Sequence, residues 1–386
     1  MDHDPLPDAQ TLLRARFGAA LRLESVTALR DEGRNRVVRA RLLDAAEGAP
    51  ETVIVKSSVI ENEGPSSDER EGPLWRLRSE LAGCAFLASL PADPPLAPGF
   101  VAGDIDTRIV IEEDLGAEGA SLADRLRGDD PAALDAAVLT YARSLGAMHR
   151  LSAGREAEFD ALWQRHGGAT RLGDRNADGI DERLSGFAPL LAALQVPATP
   201  GLDDDLAQIA RTLQDPGPYL VFSPGDACPD NNRLTGDPTL RFFDFEFAGF
   251  GHALCDIAYV LLPFCSCWCV NRLPDALADR ALAVYRAEFP GDDHFDARLV
   301  EALGYWTMAT LSWDGASWLA DDHLWGLATV RQRHPVRLSN FLRFAEPLGT
   351  LPALTETCRR VRDALERRFP NLEPMPLYPS LRGFGA

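Results

Sequence analysis

Two short stretches carry side chains able to do chemistry at a useful spacing. In "PGDACPDNN" (224–232) Asp226 precedes Asn231 by five residues, and in "FFDFEF" (242–247) Asp244 ends an apolar strand, eighteen residues after Asp226. Far upstream, "VIVKSS" (53–58) holds Lys56, the only lysine in a chain with 39 Lys plus Arg, so every other basic side chain is an arginine. Lys offers a compact point charge where Arg offers a planar fork, and a site that needs the former resists replacement. Phosphoryl transfer requires an acceptor for the substrate hydroxyl's proton, hard oxygen ligands for Mg²⁺ and a cation on the nucleotide phosphates. Asp226 suits the first task, Asn231 and Asp244 the second, and Lys56 the third. Taken alone, Asp, Pro and Asn are ordinary turn formers, and Lys56 an ordinary strand lysine. The combination carries the reading.

These residues need a scaffold. "RVVRARLLD" alternates apolar and charged positions and "TVIVKSSV" is β-branched, so residues 20–60 read as strands. A polar loop follows at 61–73, then a helix from Leu74 to Leu90 and a strand in "TRIVIEEDLG" that Gly116 stops. Asp130 suits an N-cap and Pro131 the first helical turn. Leu134, Val138, Tyr141, Leu145 and Met148 then form the buried stripe of a long helix. "PYLVFSPGD" and "TLRFFDFEF" read as short strands bracketing a loop, a short hairpin in the second lobe, and the remainder as mostly helical. The result is a β-rich first lobe, a hinge strand and a larger helical lobe, with the boundary near Gly116.

A chain of 386 residues favours two lobes over one small core, and 46% hydrophobic and 25% charged residues indicate a globular protein. A formal net charge of −19 argues against nucleic acid or an anionic membrane as partner and is compatible with a cationic substrate. "MDHDPLPDAQ" has no apolar core of a secretory signal, and "YVLLPFCSCWCV" is too short for a membrane span. Seven cysteines, an odd number, then favour reduced thiols in a cytoplasm over a disulfide framework.

The chain resembles the aminoglycoside phosphotransferase and choline kinase family of small-molecule kinases. That family's catalytic loop, H-G-D-x-x-P-x-N, is matched at Gly225, Asp226, Pro229 and Asn231. Its metal-binding "IDFE" corresponds to Phe243-Asp244-Phe245-Glu246, and its downstream "DLA" to Asp256-Ile257-Ala258. "LRDEGRNRVVRARL", with Gly33 and Asn35, looks like its phosphate-covering loop, "VIVKSS" like its nucleotide-lysine strand, and "LGAMHR" like the end of the helix before the catalytic lobe. Glu80 looks like the ion-pair partner of the lysine, although Glu71 also lies near the helix start and a solvated helix face is the plainer alternative. "IVIEEDLG", with Glu113, resembles the hinge that binds adenine through backbone groups.

The resemblance covers residues 30–262. It implies an α+β, protein-kinase-like two-lobe fold, with a nucleotide-binding lobe at 1–115 and a catalytic and acceptor-binding lobe at 116–386. It also implies a cytoplasmic, monomeric or homodimeric enzyme that uses ATP and Mg²⁺ to phosphorylate a hydroxyl of a small molecule: aminoglycoside-, amino-alcohol- or sugar-like. Asp226 is then the catalytic base, Asn231 and Asp244 the metal ligands, and Gly33, Asn35, Lys56, Glu80 and Glu113 the nucleotide residues. Asp256 is expected to support the loop. One departure stands out. The family's loop-initial His is Pro224 here, and proline offers no side-chain hydrogen bond, so another group must hold the loop. The rival reading is a nucleotide-binding pseudokinase serving as scaffold or regulator. A kinase of protein substrates is disfavoured, since the chain lacks the arginine before the catalytic Asp and any Ala-Pro-Glu segment.

Three other stretches carry alternatives. Asp174, Asn176, Asp178 and Gly179 match the first half of a calcium loop, but Ser185 stands where a bidentate Glu is needed, so an acidic surface turn is expected. Cys265, Cys267 and Cys269 lack the paired spacing of a structural zinc site and read as reduced thiols beside the cleft. Trp306, Trp313, Trp318 and Trp325, with Asp314, Asp321 and Asp322 among them, read either as helix packing or as a cleft wall for a polyol or ammonium group.

Overall fold

The protein is described here by a computed structural model covering residues 4–30, 33–58, 72–168, 180, 184, 186–236, 240–312 and 316–382. Glu71, the 174–179 stretch, Ser185, Trp313 and Asp314 lie outside the described residues.

The expected β-rich lobe is an antiparallel five-stranded sheet in the order β1-β2-β3-β5-β4. Its strands are β1 (Arg22–Arg30), β2 (Asn35–Leu43), β3 (Thr52–Ser58), β4 (Phe100–Asp104) and β5 (Ile109–Glu113). Alternation along β3 decides which face does what. Val53 and Val55 are fully buried on one face, with Ile109 and Ile111 of β5. They pack on Ala9 and Leu13 of a helix the sequence reading omits, α1 (Leu6–Phe17). Its buried stripe is only those two residues, too short to register as a period. Ile54 and Lys56 face the opposite way, towards the second lobe.

Helix α2 (Pro73–Ser89) lies behind the sheet but belongs to the core of the larger lobe, where Trp75 meets Trp163 edge-on at 5.9 Å. That lobe holds α3 (Leu122–Arg127), α4 (Pro131–Ser152), α5 (Glu156–Arg165), α6 (Phe187–Leu194) and α7 (Leu202–Gln214). It continues with α8 (Ala253–Leu261), α9 (Asp275–Glu288), α10 (Phe295–Ser312), α11 (Val330–Leu348) and α12 (Pro352–Arg368). The α4 start follows its sequence signals, with the Asp130 carboxylate accepting the Ala132 and Ala133 N–H groups at 2.9 and 3.1 Å. All five residues of its stripe have no exposed surface.

The two short strands expected to form a hairpin in this lobe do not pair with each other. β6 (Leu220–Ser223) pairs with β9 (Gly249–His252), and β7 (Asn232–Leu234) with β8 (Leu240–Phe242), all antiparallel. The Asp226–Asn231 loop therefore runs between two ribbons, and Asp244 follows the end of one of them. No helix among the described residues is long and apolar enough to cross a membrane.

Candidate active site

A cavity of about 350 Å³ lies between the sheet and the β7–β8 ribbon. Leu29, Val37 and Ile54 cover it, the Glu112–Gly116 segment borders it, and Asn231 and Phe243 floor it. A smaller one, about 160 Å³, adjoins it behind Lys56, with Arg34, Asn35 and Glu246 in its wall.

Lys56 joins three elements. From β3 its ammonium lies 3.1 Å from Glu80 Oε1 on α2 and hydrogen-bonds Asp244 Oδ1 beyond β8. The Lys56 and Glu80 side chains keep only 12% and 2% of their exposure. The helical partner anticipated for the lysine is therefore Glu80. A third carboxyl, Glu112 of β5, is buried close by and accepts the Cys84 S–H at 3.4 Å. Sequence reasoning selects Glu113 and passes over Glu112. Adjacent strand residues point oppositely, and the Glu113 carboxylate is turned to Arg241 at 3.1 Å and to the Gly99 N–H at 2.9 Å.

Electrostatics follow from three carboxyls around one ammonium. Burial opposes the Lys56 charge, but the pull of Glu80 and then of Asp244 outweighs it and raises the ammonium's pKa. Burial pushes Glu80 up to about 8 and raises Glu112 as well, each against the pull of Lys56. Asp244 is held low because the charge and hydrogen bond of Lys56 overcome its own burial. These groups titrate together.

Asp244 has φ of +69°, a left-handed conformation that Asp tolerates better than most residues and that aims its carboxylate back at Lys56. Beside it, Phe245 packs so tightly on α2 that a Cβ on Gly83 would lie 2.8 Å from the Phe245 Cβ. Gly33 has φ of +88° with open space around it, so glycine serves the backbone turn there. Arg34, next along, reaches Glu246 at 3.1 Å and ties that turn to the Asp244 segment. On the cavity rim Arg39 grips Asp114 with two hydrogen bonds, of 2.7 and 3.0 Å.

Asn231 donates its side-chain amide to the Asp226 carbonyl at 3.0 Å, so the amide oxygen is the atom of this side chain that could meet a metal ion. The Phe243 N–H donates to the Asn231 carbonyl at 3.1 Å and fixes Asn231 relative to Asp244. Asn232 holds the rest of the loop, donating to the Pro229 carbonyl at 3.0 Å and accepting the Leu122 N–H at 2.9 Å. Asp226 is half-buried in this loop, and the Tyr141 hydroxyl donates to the carbonyl after it, Ala227, at 2.7 Å.

The group that makes up for Pro224 is its neighbour. Ser223 accepts the Gly225 N–H at 3.1 Å and donates to Asp256 Oδ1 at 2.9 Å. The other Asp256 oxygen lies 3.1 Å from Nε2 of His149, whose Nδ1 meets the Tyr285 hydroxyl at 2.7 Å. A hydroxyl directly before the proline was the available sequence signal.

The cysteines correct an expectation. Cys228, inside the catalytic-type loop, is disulfide-bonded to Cys267, whereas Cys265 and Cys269 are buried free thiols. A pairing across 39 residues is not encoded in local spacing. Of the tryptophans, Trp306 donates to the Cys255 carbonyl at 2.8 Å and Trp318 lies on His334 with ring centroids 3.9 Å apart and tilted by 31°, both as packing. Trp325 is exposed beneath the Arg333 guanidinium. Asp322 is taken by Arg331, whose N–H it accepts at 2.9 Å.

A sequence profile of the phosphotransferase enzyme family matches residues 67–313, a span holding Glu80, Asp226, Asn231 and Asp244 and beginning after Lys56. No curated protein sequence matches the chain. Among solved structures, a putative fructosamine-3-kinase from Thermobifida fusca is similar at 16% identity and TM-score 0.49, over 88% of this chain and 98% of that one. An ethanolamine kinase from Plasmodium vivax is similar at 14% identity and TM-score 0.47, over 91% and 88%. A choline kinase from Streptococcus pneumoniae is similar at 12% identity and TM-score 0.43, over 83% and 93%.

Proposed function

The chain belongs to the phosphotransferase enzyme family, and from that membership we propose that it moves the γ-phosphate of ATP to a hydroxyl of a small aminoglycoside-, amino-alcohol- or sugar-like acceptor. The observation that carries this reading is Lys56 in contact with both Glu80 and Asp244, which joins the sheet, α2 and the ribbon around one cavity.

Lys56, oriented by Glu80, is suited to the nucleotide phosphates, with the turn at Gly33 and Asn35 over them. The backbone around Glu113 borders the space for the base. Asp244 and the Asn231 amide oxygen would hold Mg²⁺. Hard oxygens suit that ion, and a cluster with more carboxyls than cations favours taking up positive charge. When bound, the ion would neutralise charge on the transferring phosphoryl group. Asp226 accepts the proton of the attacking hydroxyl, and the hydrogen bonds of Ser223, Asn231 and Asn232 hold its loop in place. Catalysis on this arrangement is positioning and electrostatics.

The test is a thermal-shift titration with ATP, with and without Mg²⁺, followed by ATP consumption against a panel of hydroxylated amines and sugars. Mg²⁺-dependent stabilisation and turnover with at least one acceptor are expected. Nucleotide binding without turnover on the whole panel would overturn the reading in favour of a scaffold.

A further inference from the structure

Cys228 sits two residues after Asp226 and three before Asn231, and its disulfide to Cys267 ties that loop to the connection between α8 and α9. Other contacts seat the same two segments together. The Tyr259 hydroxyl donates to Cys228 Sγ at 3.8 Å, Ser266 donates to Tyr259 at 3.1 Å, and the Trp268 N–H donates to Asp230 at 2.8 Å. A third sulfur, the free thiol of Cys269, lies 3.2 Å from Cys267 Sγ.

We propose that Cys228, Cys267 and Cys269 form a thiol–disulfide exchange site, in which Cys267 changes partner and thereby tethers or frees the loop carrying Asp226 and Asn231. The Cys269 sulfur, as thiolate, attacks Cys267 Sγ. A Cys267–Cys269 bond forms as the Cys228–Cys267 bond breaks, and Cys228 leaves as a thiolate that takes up the proton Cys269 gave. One disulfide and one thiol stand on each side, so the step needs neither oxidant nor reductant. A dithiol reductant acting on either form would leave three thiols and a free loop.

A metal is the competing occupant, since Cys228, Asp230 and Cys267 bring ligand atoms within 4.8 Å of one another. The surroundings oppose it. Buried Arg333 donates to the Cys267 carbonyl at 3.0 Å, and buried Arg337 donates to the Cys265 carbonyl. Two buried guanidinium groups behind the cysteine segment disfavour a third cation there. Burial pushes the Cys269 thiol up to about 12, with Asp230 adding to the rise and Arg333 and Arg127 opposing it. The exchange is therefore slow at neutral pH and quickens as the pH rises.

The proposal depends on neither nucleotide nor acceptor, so its failure leaves the phosphotransferase reading intact. Full-length protein purified without reductant would be held at mildly alkaline pH, acid-quenched, alkylated and mapped by mass spectrometry. Wild type is expected to show the Cys228–Cys267 pair and, growing with time, the Cys267–Cys269 pair with Cys228 alkylated. Cys269→Ser should retain only the first pair. In hydrogen exchange, amides of residues 226–231 should be about tenfold or more better protected in Cys269→Ser than in Cys267→Ser, about 1.4 kcal/mol or more of local opening. A single unchanging pair in wild type, three free thiols, stoichiometric zinc or equal protection in the two variants would each overturn it. The wild-type mapping stands even if a variant fails to fold.

Discussion

Ser223 Oγ donates to Asp256 Oδ1 at 2.9 Å and itself accepts the Gly225 N–H at 3.1 Å. One hydroxyl therefore links the start of the catalytic-type loop to α8. Ser223→Ala leaves a buried carboxylate oxygen short of a donor, a loss of about 1–3 kcal/mol. Turnover should fall more than nucleotide affinity. Thermal unfolding and initial rates would check this, and unchanged values for both would show that the loop is held elsewhere.

Asp226→Ala should lower turnover by about 10²–10⁴-fold, the usual worth of a positioned general base, while Mg²⁺-dependent ATP binding persists. Single-turnover rates set beside ATP titrations separate the two effects. Full activity would remove Asp226 from the mechanism.

Lys56 serves three carboxyls at once, so its replacement should act on stability as well as binding. Lys56→Met removes the only cation of the cluster and should cost about 3 kcal/mol, a loss that shrinks as the pH falls and the carboxyls take up protons. Lys56→Arg keeps the charge but not its compactness, and ATP should bind about tenfold more weakly. Denaturant unfolding at two pH values and ATP titrations test both halves.

The Glu112 carboxyl is raised by burial, and the sign of its effect follows from linkage. Below the pKa of the unfolded chain the group is neutral in both states and costs nothing. As pH rises above that value, the folded state still binds a proton that the unfolded state has released, and stability declines. Glu112→Gln cannot titrate, so its stability relative to wild type should improve from about pH 5 upward, on the unfolded reference for Glu. Melting curves across pH 5 to 8, on about that scale, would show it, and parallel profiles would contradict it.

Much of this arrangement is legible in the chain because it is written locally. The α4 stripe and its Asp130 cap follow from spacing along a single element, and the order of Lys56, Glu80, Asp226, Asn231 and Asp244 from short motifs that resemble those of the family. The misses are choices between distant partners. Nothing in "LVFS" says that it pairs with "GFGH", nothing in "CSCWC" points to Cys228, and the phase that buries Glu112 and turns Glu113 outward depends on how β5 lies between its neighbours. Helix α1 escaped because two buried residues make no pattern.

The solitude of Lys56 has a practical side. Apart from the α-amino group, the chain holds one primary amine, and that amine sits in the cavity with 12% of its side chain exposed. Because its carboxylate partners hold the proton on that amine and β3 is paired on both sides, acylation and cleavage by a lysine-specific protease both wait on local opening, and each then acts at a single internal position. Both reactions should be slowed by whatever fills the cavity, so occupancy of this site can be read from intact mass without knowing the acceptor.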